Sequence, residues 1–173
     1  MYFIWRLYSK NVTDSLYKII KSGYIKPSIK SKNIGLFGDK VGSKYIFLSY
    51  YSKKNKKYFS KKGGPVRFFI NPFYLKKIYY NLEWYGKTKN KSVEVNTDNL
   101  HNIEKEIVGK LSKKSELDDT DILMSHEILT KKDINVKKAI MKIEINKDIE
   151  DVDNIIKLFS EKFPNIKIKK VDK

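Results

Sequence analysis

The sequence predicts one α+β domain spanning residues 1–173, with mixed or antiparallel β-sheets and flanking helices. Its 173 residues, 40% of them hydrophobic, are enough to bury a substantial core within a single domain. Segments with strand and helix patterns follow one another in the order strand–helix, strands, helix, strands, helix, strand. A parallel doubly wound sheet requires a regular alternation of strands and helices, so this order favours an α+β architecture.

The chain begins with a predicted strand and a capped helix. The segment "YFIWRLY" at 2–8 is rich in β-forming residues. Asn11 or Thr13 can cap the helix that follows, because their side-chain oxygens accept from free N–H groups of a first helical turn. Apolar residues then recur at helical spacing up to Gly23, a residue typical of helix ends.

Two predicted strands come next, separated by a lysine-rich excursion. The strands are "KYIFLSYY" at 44–51 and "VRFFI" at 66–70. The excursion, "SKKNKKYFSKKGG", ends at a Gly-Gly-Pro break and is predicted to be a mobile loop or hairpin. After it, "NPFYLKKIYY" is predicted to form a short helix capped by Asn71, with Pro72 in its first turn. The segment "LEWYG" at 82–86 is predicted to be a further strand.

The C-terminal elements alternate between helix and strand patterns. An amphipathic helix, "DNLHNIEKEIVGKL", is predicted to begin at Thr97 or Asp98. An acidic segment at 116–121 separates this helix from the apolar–polar alternation "ILMSHEIL", and "KAIMKIEI" is predicted to be a strand. A last helix, "IEDVDNIIKLFSEKF", carries acids at its start and lysine near its end, as the helix dipole favours. The final "IKIKKV" is predicted to be an edge strand with outward lysines.

Positive charge is concentrated in the first half of the chain. The net charge is +17; residues 1–96 carry 21 basic and 4 acidic residues, whereas residues 97–173 carry 16 of each. Only Arg6 and Arg67 are arginines, and AT-rich codon usage explains so many lysines but not the shortage of acids. An excess of positive charge in one part of the protein favours an anionic partner, such as a nucleotide, a nucleic acid or an acidic protein surface. The alternative is that the charge imbalance is compositional drift without a functional role.

The lysine-rich excursion also interleaves lysine with aromatic residues. Single-stranded nucleic acids are bound through base stacking on aromatic rings together with phosphate contacts, which makes the excursion a candidate nucleic-acid surface. The alternative is that its aromatic residues belong to the core. The scarcity of arginine argues against sequence-specific reading of the major groove. The candidate nucleic-acid-binding residues are Lys53, Lys54, Lys56, Lys57, Lys61 and Lys62.

Several classes of function are excluded by missing residues or motifs. The chain has no cysteine, so disulfides, thiolate zinc sites and cysteine nucleophiles are excluded. It lacks a P-loop, a dinucleotide-binding glycine motif, a zinc-protease motif and a serine-hydrolase elbow. The acidic "DDTD" lacks the ligands and glycine of a calcium loop, so no metal site is expected. No apolar run is long enough to span a membrane, and the opening segment does not resemble a signal peptide, so an intracellular, cytoplasmic location is expected, which includes a host cell. The oligomeric state stays open.

Four segments in order resemble the ADP-ribosyltransferase fold, the superfamily of bacterial toxins, DNA-modifying toxins and poly(ADP-ribose) polymerases. The first is "WRLYSKNVTDSLYKIIKSGYIKPS", similar to the opening strand, helix and turn of the family. The second and third are "KYIFLSYYS" and "PVRFFINPFYLKKIYYNLEWYG". The fourth, "SHEILTKKDINVKKAIMKIEI", is similar to the segment with the catalytic glutamate. The resemblance covers about residues 3–146 and leaves the C-terminal helix and strand, 147–173, outside it.

The resemblance implies that NAD is the substrate and binds in a cleft between two sheets. The nicotinamide–ribose bond would then break through an oxocarbenium-like state. Glu127 would be the catalytic carboxylate, which hydrogen-bonds a ribose hydroxyl and favours the developing positive charge. Ser49 would shape the cleft, and Tyr50 or Tyr51 would stack on the nicotinamide ring.

Two positions depart from the family pattern. Family members place an arginine or histidine on the first strand to hold the cofactor, and the matching position here is Ser9. Arg6 lies three residues earlier, so on an ideal strand it faces the other side unless a bulge intervenes. Ser125 stands where arginine-modifying members carry Glu or Gln, which argues against an arginine acceptor. The alternatives to an ADP-ribosyltransferase are therefore a non-catalytic nucleic-acid-binding protein and a pseudoenzyme adaptor, with Glu127 an ordinary exposed strand residue.

Overall fold

The computed structural model describes residues 1–27, 44–59, 61–81, 93–118, 121–122 and 125–172. Their strands are, in chain order, β1 (Tyr2–Leu7), β2 (Tyr24–Ile25), β3 (Ile46–Tyr51), β4 (Val66–Ile70), β5 (Ile78–Asn81), β6 (Val93–Val95), β7 (Glu127–Thr130), β8 (Ile134–Asn135), β9 (Ile140–Asn146) and β10 (Lys167–Val171). Their α-helices are α1 (Val12–Ser22), α2 (Leu100–Leu111), α3 (Val136–Ala139) and α4 (Val152–Lys162). Single 3-10 turns lie at Lys56–Tyr58, Pro72–Tyr74 and Thr97–Asn99.

A mixed eight-stranded sheet organises the described residues, with the strand order β10-β9-β4-β1-β3-β7-β5-β6. β10 runs parallel to β9, and the other pairs described in this sheet are antiparallel. β2 and β8 form a small separate pair. The predicted single α+β domain with a mixed sheet is confirmed. β3 joins β1 to β7, so the main strands form one continuous sheet and not the two sheets that the resemblance implies.

Helix α1 begins and ends where the sequence predicts. The Asn11 Oδ1 accepts from the Asp14 N–H at 2.8 Å, which satisfies a donor of the first turn. At the other end Gly23 adopts a left-handed φ of 74° and donates its N–H to the Ile19 carbonyl. Glycine takes this conformation at no steric cost, so it ends the helix cleanly. The buried side of α1 packs against α4.

The described C-terminal residues, 147–172, belong to the same domain. The Phe159 ring on α4 lies 6.3 Å from the Phe68 ring on β4, measured between centroids. Each large apolar side chain buried in this way stabilises the fold by about 1.5–3 kcal/mol. β10 forms the edge of the sheet, as predicted, and its Lys167 and Lys169 are exposed. Charged side chains on an edge strand oppose pairing with another chain.

Several segments differ from the sequence prediction. The described residues of the lysine-rich excursion form a loop with one 3-10 turn, which buries Tyr58 and Phe59. The segment "KAIMKIEI" begins inside helix α3, because the Asn135 Oδ1 accepts from the Lys138 N–H at 3.0 Å and caps that turn. The segment "NPFYLKKIYY" forms one 3-10 turn and then β5. The predicted strand "LEWYG" lies outside the described residues.

Candidate functional site

Strand pairing aligns polar side chains on one face of the sheet. Residues directly opposite each other in antiparallel strands share a face, as do residues two apart in one strand. β3 and β7 pair Leu48 with Ile128. One further step of this register, beyond the last described pair, would place Ser49 opposite Glu127. In strand order, the polar row consists of Glu144, Arg67, Arg6, Ser49, Glu127 and Asn81.

Two hydrogen bonds hold Arg6 in the polar row. Its Nε donates to the Lys62 carbonyl at 2.7 Å, and its Nη1 donates to the Ser49 Oγ. Burial lowers the pKa of Arg6 to about 10, which still leaves the guanidinium charged at neutral pH. β1 therefore presents a fixed positive charge next to the Ser49 hydroxyl of β3.

Ser9, the other first-strand candidate, lies beyond the end of β1. Its Oγ donates to the Asn11 carbonyl at 2.9 Å and accepts from the Ser15 Oγ at 2.9 Å. The hydroxyl is thus used in the turn that starts α1. The structure brings Arg6 to Ser49 and leaves Ser9 outside the polar row.

The segment 61–64, called the strap below, lies against Arg6 because it ends in two glycines. Gly63 and Gly64 have φ angles of 91° and 73°, values that favour glycine. A Cβ on Gly63 would lie 2.8 Å from the Tyr8 Oη, and a Cβ on Gly64 would lie 3.1 Å from the Arg6 Cβ. A larger residue at either position would push the strap away from β1. The Gly-Gly break therefore allows the carbonyl contact that holds Arg6.

Arg67 lies directly opposite Arg6, and these two are the only arginines in the chain. Like charges placed opposite each other in a sheet are destabilising. The Lys61 carbonyl accepts from the Arg67 Nη1 at 3.0 Å, and the Glu144 Oε2 lies 3.1 Å from the Arg67 Nη2. Acceptors from the strap and from β9 thus offset the repulsion, so that two guanidinium groups stay on one face.

Glu127 is the first residue of β7 and is buried, with 7% of its surface exposed. This finding removes the alternative of an exposed strand residue. Asn81 lies opposite Glu127 on β5 and is 3% exposed, and neither atom of its amide has a hydrogen-bond partner. Sequence reasoning missed Asn81. The only signal in the sequence is that a polar residue ends the otherwise apolar run "IYYN". That Asn81 is a neighbour of Glu127 becomes visible only from the pairing of β5 with β7.

His126 and Ser125 form a structural pair, not a nucleophile and its base. The Tyr50 N–H donates to the His126 Nε2 at 2.9 Å, so the neutral ring carries its proton on Nδ1. That Nδ1 donates to the Ser125 Oγ at 2.8 Å. Burial lowers the pKa of His126 to about 3, and the positive charge of Arg6 lowers it as well. Because both ring nitrogens are occupied and the ring is neutral, His126 cannot take a proton from Ser125.

Tyr50 and Tyr51, the candidates for stacking on a ligand ring, are both buried. Tyr50 faces away from the polar row, and its hydroxyl donates to the Glu104 Oε2 of α2 at 3.1 Å. Tyr51 lies on the side of the row but stacks on Tyr2, with ring centroids 4.9 Å apart. The Lys61 Nζ lies 4.7 Å from the centroid of the Tyr51 ring. The structure therefore presents neither ring openly beside the carboxylate.

The candidate nucleic-acid-binding lysines are exposed and divide into two groups. Lys61 and Lys62 belong to the strap, and their carbonyls hold the two arginines. The other lysines surround the 3-10 turn, which α2 holds through a 2.7 Å hydrogen bond from the Asn55 Nδ2 to the Glu104 Oε1. These turn lysines are Lys53, Lys54, Lys56 and Lys57.

The sequence matches no protein-family model and no curated protein sequence. Within the described ranges, no group of three or more histidine, aspartate and glutamate side chains is placed to hold a metal ion. No helix in the described part of the chain combines the length and the apolar character needed to cross a bilayer. The geometry of the polar row is therefore the basis on which a function can be assigned.

Proposed function

We propose that this chain is an ADP-ribosyltransferase-like protein that uses NAD to modify an intracellular macromolecule, either a protein or a nucleic acid. The observation that supports this most strongly is the hydrogen bond from Arg6 to Ser49, with Glu127 buried on the neighbouring strand β7. A fixed cation, a hydroxyl and a carboxylate thus lie on one face of three adjacent strands, β1, β3 and β7. The family resemblance assigns a first-strand cation, Ser49 and Glu127 to the NAD site.

Each group has a role in cleaving the nicotinamide–ribose bond of NAD. The Arg6 guanidinium offers planar N–H donors and a positive charge for the pyrophosphate, and Ser49 fixes its orientation. As the bond breaks, nicotinamide leaves with the electron pair and positive charge develops on the ribose. The Glu127 carboxylate accepts from a ribose hydroxyl and stabilises that charge. The nucleophile of the acceptor then bonds to the ribose carbon and loses its proton.

A non-catalytic role in nucleic-acid binding, or as an adaptor on the same fold, is the second candidate. The exposed turn lysines and the strap lysines favour it, because they add to the positive charge of the two arginines. The Lys57 Nζ lies 4.7 Å from the centroid of the Tyr58 ring, so a cation and an aromatic residue are already adjacent there. An enzyme that modifies nucleic acid would use the same surface to bind its acceptor.

The test combines NAD binding by isothermal titration calorimetry with release of free nicotinamide. We expect Glu127→Gln to bind NAD like the wild type but to release nicotinamide at least about 100-fold more slowly, because the neutral amide does not stabilise the ribose charge. We expect Arg6→Lys to bind NAD about tenfold more weakly, because lysine cannot bond Ser49 and the Lys62 carbonyl in the same fork geometry.

A matched variant controls for the loss of a carboxylate charge. Glu161→Gln neutralises an exposed acid on α4. It should release nicotinamide at the wild-type rate. A folded wild-type chain that binds no NAD would overturn the enzyme proposal and leave the basic surface as the functional one.

A further inference from the structure

Asn81 ends β5 with a buried amide whose two polar atoms have no hydrogen-bond partner. Buried side-chain amides in proteins nearly always have partners, because an unpartnered amide loses its bonds to water without replacement. Asn146 on β9 shows the usual arrangement: it is 5% exposed, and its Oδ1 accepts from the Asp148 N–H at 2.9 Å. Asn81 is therefore a polar group in need of a ligand.

The position of Asn81 places it in the proposed site. It lies directly opposite Glu127 in the register of β5 and β7. The Cβ atoms of such a pair are about 5 Å apart. Ser49 flanks Glu127 from the other side, on β3. The unpartnered amide and the buried carboxylate therefore lie on the same face of the sheet, on neighbouring strands.

We propose that Asn81 recognises the carboxamide of the nicotinamide group through a pair of hydrogen bonds, which rests on the NAD-dependent function proposed above. A side-chain amide offers an acceptor oxygen and two N–H donors, and two groups of NAD are complementary to both: the primary amide of nicotinamide and the N6–N7 edge of adenine. Of the two, nicotinamide is the one whose ring nitrogen is bonded to the ribose carbon beside which Glu127, the neighbour of Asn81, acts. A ring held by Asn81 presents its glycosidic bond to Glu127. Asn81 is thus a specificity-determining residue.

Entry of the ring requires displacement of the groups that enclose Asn81, which is 3% exposed. Separating the groups around an unpartnered amide is less costly than separating those around a satisfied one. The Asn81 side chain gives up no hydrogen bond, and its amide gains bonds when a ligand pairs with it. The buried, unpartnered Asn81 amide therefore favours the binding of a ligand that offers it hydrogen bonds.

The first measurement compares three dinucleotides by calorimetry. They are NAD, its 3-acetylpyridine analogue, which lacks the amide N–H donors, and nicotinic acid adenine dinucleotide, which carries a carboxylate instead. We expect the wild type to bind NAD at least about tenfold more tightly than either analogue, because each analogue leaves part of the Asn81 amide unpaired. In Asn81→Leu and in the smaller Asn81→Ala, the preference for NAD over the acetylpyridine analogue should fall below about twofold.

The outcomes separate this inference from the function on which it rests. NAD binding by the wild type with an unchanged preference in both Asn81 variants would overturn the role of Asn81 and leave the proposed function intact. Absence of NAD binding by the folded wild type would overturn both.

Thermal unfolding without ligand gives an independent readout. Asn81→Leu should raise the Tm, because an apolar side chain of similar size replaces an unpartnered amide. Asn146→Leu, the matched control at a partnered buried asparagine, should lower the Tm, because the Asp148 N–H loses its acceptor. If Asn81→Leu lowered the Tm as much as Asn146→Leu, the Asn81 amide would be paired in the free protein and the inference would be overturned.

Discussion

The two arginines of the chain, Arg6 and Arg67, lie opposite each other in the polar row. Lysine supplies the other basic positions of the chain, so arginine at these two places reflects a need for the planar guanidinium as well as for charge. Arg6 bonds a hydroxyl and a carbonyl at once, and Arg67 bonds a carbonyl and a carboxylate. Both arginines can be read from the sequence. That they lie opposite each other follows only from the pairing of β1 with β4, which are far apart in the chain.

His126 is expected to make stability depend on pH between pH 7 and pH 5. Its pKa is about 3 in the folded protein, whereas an unfolded histidine titrates near pH 6.5. Below that value the unfolded state binds a proton that the folded state does not. The free energy of unfolding therefore falls with decreasing pH, by about 2 kcal/mol between pH 7 and pH 5. Urea denaturation at the two pH values measures this difference.

Two histidine variants isolate the effect. His126→Gln keeps a side chain that can accept from the Tyr50 N–H but does not titrate, so most of the pH dependence should disappear. His101→Gln changes the exposed histidine of α2 and should keep the pH dependence. The same slope in His126→Gln as in the wild type would contradict the assignment of the effect to this ring.

Among the elements, sequence patterns predict those whose determinants are local. Helices α1, α2 and α4 follow from apolar spacing, and β1, β3 and β4 from runs of β-forming residues. Distant contacts decide where the sequence leaves two possibilities. The aromatic residues of the excursion could belong to a surface or to the core, and Phe59 is buried with its ring centroid 5.3 Å from that of Tyr50. Ser49 and Glu127 are singled out by the family resemblance, whereas Asn81 is identified only by the register of β5 with β7.

The strap gives a prediction about an element whose conformation depends on glycine. Gly64 and Gly23 have φ angles of 73° and 74°, so alanine at either costs about 1 kcal/mol for the left-handed conformation. At Gly64 the added Cβ also meets Arg6 at 3.1 Å, whereas at Gly23 nothing lies within 4 Å. Gly64→Ala should therefore lower the free energy of unfolding by about 2 kcal/mol and weaken NAD binding. Gly23→Ala should cost about 1 kcal/mol and leave binding unchanged.

Urea denaturation and calorimetry on both glycine variants measure these effects. Because the two positions share a backbone conformation, the difference between the variants reports the packing of the strap against Arg6. Equal decreases in stability and unchanged NAD binding in both variants would show that this packing does not support the site.

For the whole molecule, the charge imbalance along the sequence does not divide the structure into two halves. The sheet interleaves them: β9 and β10 extend it beyond β4, and β7 lies between β3 and β5. Glu144, from the electrically balanced second half, lies beside Arg67 in the polar row. Among the described residues, the exposed turn lysines form one local positive surface.

Two charge-matched variants test whether the turn lysines bind nucleic acid. Replacing the turn lysines by glutamine should weaken binding of a single-stranded oligonucleotide. For each phosphate that a turn lysine neutralises, the replacement should also reduce the slope of log affinity against log salt concentration by about 0.7. Fluorescence anisotropy at several salt concentrations measures both effects. The control makes the same change in net charge at exposed lysines elsewhere: Lys138, Lys157, Lys167 and Lys169. Equal weakening in both variants would mean that net charge alone governs binding.

The hydrogen bond from the Tyr50 N–H to His126 has a further consequence. Regular pairing of β3 with β7 stops at Leu48 and Ile128, although β3 continues to Tyr51. Beyond that step the His126 imidazole, and not a backbone carbonyl, accepts the amide proton of Tyr50. Ser49 and Glu127 lie between the last described strand pair and this hydrogen bond. In an NMR spectrum the amide resonance of Tyr50 would therefore report a bound molecule that displaces either strand at this point.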